Sequence, residues 1–186
     1  MLCGQDKKLL AGIKNVLTAN GHIFTGYSIN PFSVLRQVRG SQPELVIFDI
    51  TGGFREFKPV IEVIDDDLLA ACIILLDSRS DEVFEFLRAS RTATYIAKPV
   101  FGEVMLQIAE LAVTNYLRVL DYEGKLKELN NALESRKVIE KAKWLLVEQE
   151  GITEKEAYDV LRKKSRDNRM AMRDIAEAIL IARGTM

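Results

Sequence analysis

The chain has little of what covalent or metal chemistry usually needs. It holds one histidine and two cysteines in 186 residues. Cys3 and Cys72 sit in separate apolar runs, which excludes a disulfide scaffold and suits two reduced, buried thiols. His22 stands alone and reads as a structural surface residue rather than a ligand. No apolar run reaches about 18 residues, so no membrane span is expected. Met1-Leu2-Cys3-Gly4-Gln5-Asp6 lacks the charged start and apolar core of a secretion signal, so a cytoplasmic protein is expected. Net charge is nearly absent: 26 Lys plus Arg against 27 Asp plus Glu give −1. A nucleic-acid role therefore has to come from local charge, not from the whole chain. Apolar residues at 48% and charged residues at 28% are globular proportions and exclude wholesale disorder.

The front half alternates strands with helices. Leu9, Leu10, Ile13, Val16 and Leu17 mark a helix over 6–18, closed by Gly21. A short strand is expected over 22–27 and a helix over 32–39, with Pro31 in its first turn. Leu45–Phe48 and Cys72–Leu76 are continuous apolar runs of strand length, and Ala93–Ala97 is a weaker one. Continuous rather than alternating hydrophobicity means that both faces are covered. Helices are expected over 55–67 and 81–90. This order predicts an α/β fold, a parallel sheet with helices on both faces. Its site lies beyond the carboxyl ends of the strands, at Gly4, Gln5 and Asp6, then Asp49, Asp77 and Lys98-Pro99.

Pro43-Glu44-Leu45-Val46-Ile47-Phe48-Asp49-Ile50, followed by Tyr95-Ile96-Ala97-Lys98-Pro99, resembles a response-regulator receiver domain of flavodoxin-like fold over residues 1–103. The resemblance implies Asp49 as the phosphoacceptor position, Lys98 as the site lysine and Tyr95 as the switch aromatic. Phosphoryl transfer to a carboxylate also needs a cation held by oxygens. The acidic pair that normally ends strand one is replaced by Gly4 and Gln5, leaving only Asp6 nearby. Asp77 stands where a Ser or Thr hydroxyl is usual, and Gly52-Gly53 replaces Met-Pro. The expectation is a degenerate receiver in which Asp49, Asp77 and Lys98 form a structural ion-pair cluster and no cofactor is held. The alternative is residual phosphorylation, with Asp6 and Asp77 as improvised ligands for magnesium.

From Glu103 to Glu150 the chain has no proline, and one long helix is expected. With Met105 at heptad position a, the a positions are Met105, Ala112, Val119, Leu126 and Leu133. The d positions are Ile108, Asn115, Tyr122 and Leu129. All but Asn115 are apolar, which fits a coiled-coil seam of roughly 40 Å. A lone Asn in such a seam fixes register. The simpler reading, that the helix packs on its own sheet, suits 103–113. A parallel homodimer is expected for the rest, with 104–133 as linker.

The tail, 134–186, reads as a small all-α three-helix module. Gly151 stops the long helix, and Thr153-Glu154-Lys155-Glu156 is a capping box. Helices follow over 154–165 and about 170–182, the last ending before Gly184. No nucleophile sits near a base and no metal-ligand cluster is present, so no enzyme is expected. From Val160 to Arg173 six basic residues face one acid, +5 in 14 residues. A charge run is commonly a solvated face, but clustered cations also bind phosphates and release counterions.

Leu133–Lys143 (Leu-Glu-Ser-Arg-Lys-Val-Ile-Glu-Lys-Ala-Lys), then Gly151–Tyr158 and Leu161-Arg162, are similar to the ANTAR domain over about 128–182. That resemblance implies RNA binding and transcription antitermination at hairpins in nascent transcripts. Such readers hold unpaired loop bases against aromatics and guanidinium planes. The expected contact pool is Lys141, Lys143, Arg162, Lys163, Arg166, Arg169 and Arg173. Trp144 departs from the usual Gly and Ser165 from the usual Ala. Trp144 reads as an added core residue or as an exposed stacking surface; Tyr158 reads as core with stacking as the alternative. The functional expectation is a dimeric antiterminator whose receiver-like domain is controlled by a sensor kinase or a ligand-sensing regulator protein. The rivals are a conventional phosphorylation-switched regulator with a DNA or protein target, and a protein adaptor.

Overall fold

The computed structural model describes residues 1–51, 53–78 and 80–183. Gly52 and Gly184, named above, lie outside the described residues. The element order is β1 (Leu2–Cys3), α1 (Lys7–Ala19), β2 (Tyr27–Ser28), α2 (Pro31–Ser41), β3 (Leu45–Asp49), α3 (Phe54–Asp66), β4 (Ala71–Leu76), α4 (Asp81–Ala89), β5 (Ala93–Ala97), α5 (Gly102–Glu150), α6 (Glu154–Asn168) and α7 (Met172–Ala182). Two compact units result, Met1–Tyr122 and Glu123 onward.

The first unit is a five-stranded parallel sheet in the order β2-β1-β3-β4-β5. All six residues of β4 are buried, as expected of a central strand covered on both faces. Successive side chains alternate between two cores. Val46 and Phe48 of β3 with Cys72, Ile74 and Leu76 of β4 face α2 and α3, meeting Val34, Val38, Phe57, Ile61 and Ile64. Ile47, Ala71, Ile73 and Leu75 face α1 and the start of α5, meeting Leu10, Ile13, Met105, Ala109, Ala112 and Tyr116. The doubly wound arrangement read from the apolar runs is the one observed.

Two expectations change. The stretch His22–Gly26 forms no strand; β2 is only Tyr27–Ser28, paired to β1 by two rungs. A two-residue β1 offers no further partner groups, and Ile23 is left 87% exposed. Met105 and Ala112 also leave the expected dimer seam, because both are buried against their own sheet, with Ile108 partly so. Met105, Ala109, Ala112 and Tyr116, spaced four, three and four, are the sheet-facing stripe of this segment. The Tyr116 hydroxyl donates to the Leu68 carbonyl at 3.0 Å and anchors that stripe at its end.

Asp65, which sequence reasoning passed over, fixes the approach to β5. Its carboxylate is buried and accepts from the Arg91 and Thr92 amides and the Thr92 hydroxyl, at 2.7 to 2.8 Å.

The second unit has its own core, Ala142, Leu145, Leu146, Ala157, Leu161, Ile175, Ala176 and Leu180. The capping box forms: the Thr153 hydroxyl accepts from the Glu156 amide at 3.3 Å, and the Glu156 carboxylate accepts from the Thr153 amide at 2.8 Å.

Candidate functional site

At the carboxyl ends of the strands, β3 carries Asp49 and β5 leads into Lys98, which is joined to Pro99 by a cis peptide bond. Asp49 is 1% exposed. Its Oδ1 accepts from Lys98 Nζ at 2.7 Å and from the Thr51 hydroxyl at 2.5 Å, and its Oδ2 from the Asp6 amide at 3.3 Å. Burial alone would push the Asp49 carboxyl up; hydrogen bonds from Lys98 and Thr51 outweigh it and hold the group below the ordinary aspartate range. Burial likewise opposes the charge of Lys98, and hydrogen bonds to Asp49 and Asp77 reverse that, so its ammonium is held above the ordinary lysine range.

Lys98 has three ammonium donors. They meet Asp49 Oδ1 at 2.7 Å, Thr51 Oγ1 at 2.7 Å and Asp77 Oδ1 at 3.1 Å. The structure therefore joins Asp49, Asp77 and Lys98, and adds Thr51. A hydroxyl two residues beyond a strand-end aspartate was the available signal for Thr51. Tyr95 lies apart from this cluster, edge-on to Phe84 at 5.0 Å between ring centroids.

The residues present do not fit a divalent cation. Gly4 offers no carboxylate, and a Cβ there would lie 2.5 Å from the Asp49 Cβ, at a φ of +150°. Asp6, expected as an improvised ligand, instead caps α1 by accepting from the Leu9 amide at 2.9 Å. Asp77 lies against Lys98. Among the described residues no group of three His, Cys, Asp or Glu side chains converges.

In the tail, Arg162, Lys163, Arg166 and Arg169 are exposed on α6 and at its C-cap. Arg162 and Arg166 are one turn apart, and Arg169 follows three residues on. None of the four makes an ion pair among the described residues. Lys141 is exposed on α5. Lys143 is a correction: it is 7% exposed and bridges Glu140 at 3.0 Å and Glu154 at 2.6 Å. Hydrogen bonds with Glu154 and then Glu140 hold its ammonium above the ordinary range, so it ties α5 to α6 rather than facing a polyanion. Arg173 is also engaged, through Nε to Glu177 at 2.8 Å. Trp144 and Tyr158 are not core residues, at 69% and 42% exposed. Of the expected seam, Tyr122, Leu126, Leu129 and Leu133 stand between 55% and 63% exposed, with Asn115 exposed and Val119 half-buried.

Residues 127–180 match the ANTAR domain family. The whole chain is 26% identical over 186 residues to transcriptional regulatory protein PdtaR of Mycobacterium tuberculosis, covering 91% of that protein. A nitrate regulatory protein of Klebsiella oxytoca is 43% identical over 130 residues, 70% of this chain and 32% of that one. Among solved structures, the signal receiver domain of a modulated diguanylate cyclase from Desulfovibrio desulfuricans G20 superposes with a TM-score of 0.53 at 20% identity. That match covers 62% of this chain and 93% of the domain, and it bears on the fold alone.

Proposed function

We propose that this chain, an ANTAR-domain protein with a receiver-fold front unit, is a response-regulator-type transcription antiterminator that binds hairpin loops in nascent RNA through its tail. The observation that carries this reading is the row of Arg162, Lys163, Arg166 and Arg169, exposed and without an acidic partner among the described residues, inside the matched domain. Lys143 and Arg173 of this unit are each neutralised by carboxylates of their own chain. A row left uncompensated suits a polyanion brought from outside.

The regulatory half of the proposal follows from Lys98. Its three donors already serve its own chain, and the acidic pair for magnesium is lacking. Control is therefore assigned to a partner protein acting on the front unit rather than to magnesium-dependent phosphoryl transfer at Asp49. The exposed Tyr122, Leu126, Leu129 and Leu133 support a parallel homodimer along α5. Two paired modules would gain avidity for a two-hairpin target whose spacing matches.

The test is a gel-shift with short RNA hairpins at two salt concentrations. The wild type should bind a hairpin and lose affinity steeply as salt rises. Lys163→Glu/Arg166→Glu should weaken it by about a hundredfold, as expected for two lost charge-assisted contacts. Salt-insensitive binding, or equal binding to duplex DNA, would overturn the reading.

A further inference from the structure

The C-cap of α6 is Arg169, in the left-handed region at φ 53°, ψ 37°. Glycine adopts this conformation freely and residues with a Cβ at a cost. Leu68 shares it at φ 49°, but its side chain packs on the second core cluster, where burial offsets the cost. Gln42 closes α2 in the same way, so the backbone angle alone does not single out Arg169.

Two further observations do. First, Arg169 ends the row of uncompensated cations, and its side chain is exposed with no core to repay its conformation. Second, the turn is clamped on both sides of it. The Ser165 hydroxyl donates to the Met170 carbonyl at 2.6 Å, and the Met170 amide donates to the Ser165 carbonyl at 3.1 Å. Between them the Arg169 amide donates to the Arg166 carbonyl at 3.2 Å. A short hydroxyl contact thus holds the backbone that launches the last guanidinium of the row.

We propose that Arg169 is an RNA-contact residue and that Ser165 is the positioning residue that holds the backbone from which it projects, an inference that rests on the RNA-binding reading above. A guanidinium projecting from a fixed turn can grip a phosphate with two parallel donors or lie flat on an unpaired base. Pre-ordering that backbone in the free protein lowers the conformational cost of binding.

The test uses the full chain and the hairpin that the wild type selects from a pool with randomised loops. Arg169→Gly should raise the melting temperature of the tail by about 4 °C, because glycine relieves the backbone. The single tryptophan, Trp144, lies in this unit and reports that transition. The same variant should bind about tenfold more weakly, with a salt slope reduced by roughly one phosphate contact. Ser165→Ala should lose about threefold in affinity with the salt slope unchanged, since no charge is removed. Ser165→Thr, which keeps the hydroxyl, should restore wild-type binding. A protein that is stabilised and yet binds less well separates a contact role from a structural one. If Arg169→Gly binds as tightly as wild type while Lys163→Glu/Arg166→Glu is weakened as above, the inference falls and the RNA reading stands. If the wild type selects no hairpin, both fall.

Discussion

Removing either partner of the Asp49–Lys98 pair should have unequal consequences, because the two groups are not equally buried. The Asp49 side chain is fully buried and that of Lys98 is 15% exposed. Lys98→Met leaves a buried carboxylate with only the Thr51 hydroxyl and the Asp6 amide for compensation. Breaking a buried pair in this direction costs about 3–5 kcal/mol. Asp49→Asn instead leaves the ammonium its contacts with Asp77 and Thr51, and the new amide loses one acceptor, a cost of about 1 kcal/mol. The pH dependences should have opposite signs. In the wild type the Asp49 carboxyl is held below its ordinary range, so the pair's contribution is present above about pH 4 and is lost as the pH falls through the folded value. In Lys98→Met burial acts without the ammonium and raises the same carboxyl. That variant should regain stability as the pH is lowered from 8 towards about 5. Urea unfolding is the assay, followed by the near-ultraviolet signal of Tyr27, Tyr95, Tyr116 and Tyr122, since Trp144 lies in the other unit. Equal damage from the two substitutions, or a Lys98→Met protein that weakens further in mild acid, would refute the reasoning.

Incubation with a small phosphodonor and magnesium should add no phosphoryl group to Asp49, read by intact mass; a phosphoaspartate would restore the conventional switch. Leu129→Glu should place two carboxylates across the seam of a homodimer and yield a monomer by sedimentation, and an unchanged mass would remove α5 as the pairing surface. Thr153→Ala should lose the capping box and lower the melting temperature of the tail by about 4 °C, read at Trp144, with no change in the tyrosine signal of the front unit.

Much of the fold was legible because it rests on local pattern. Leu45–Phe48 and Cys72–Leu76 announce central strands, since covered faces leave no room for alternation. The partner of a stripe is another matter. Met105 and Ala112 fit a heptad equally well whether the second surface is a sheet or a helix, and only the tertiary arrangement assigns them to the sheet. The burial of Lys143 is hidden from local pattern for a similar reason: it depends on Glu154, eleven residues on and in another helix. Trp144 was more accessible to reasoning. It stands about 200° around the helix from Ala142, opposite the face that Ala142, Leu145 and Leu146 share, so its size argued for the core and its position argued against it. The basic row on α6 was visible as composition. Which cations stay uncompensated was not, because that depends on where Glu140, Glu154 and Glu177 point.

The departures at the strand ends are best understood as one coupled change rather than as separate losses. Gly4 has no Cβ, and any Cβ would press on both the Cβ and the backbone oxygen of Asp49, at 2.5 and 2.9 Å. The absent acid and the close seating of Asp49 therefore imply one another. The buried carboxylate requires a counter-charge, which Lys98 provides. Lys98 in turn has donors left over, and Thr51 and Asp77 take them. An acid placed at position 4 alone would meet a filled space and a lysine already engaged. Asp49 and Lys98 thus answer one physical demand, the neutralisation of a charge buried at the end of a parallel sheet.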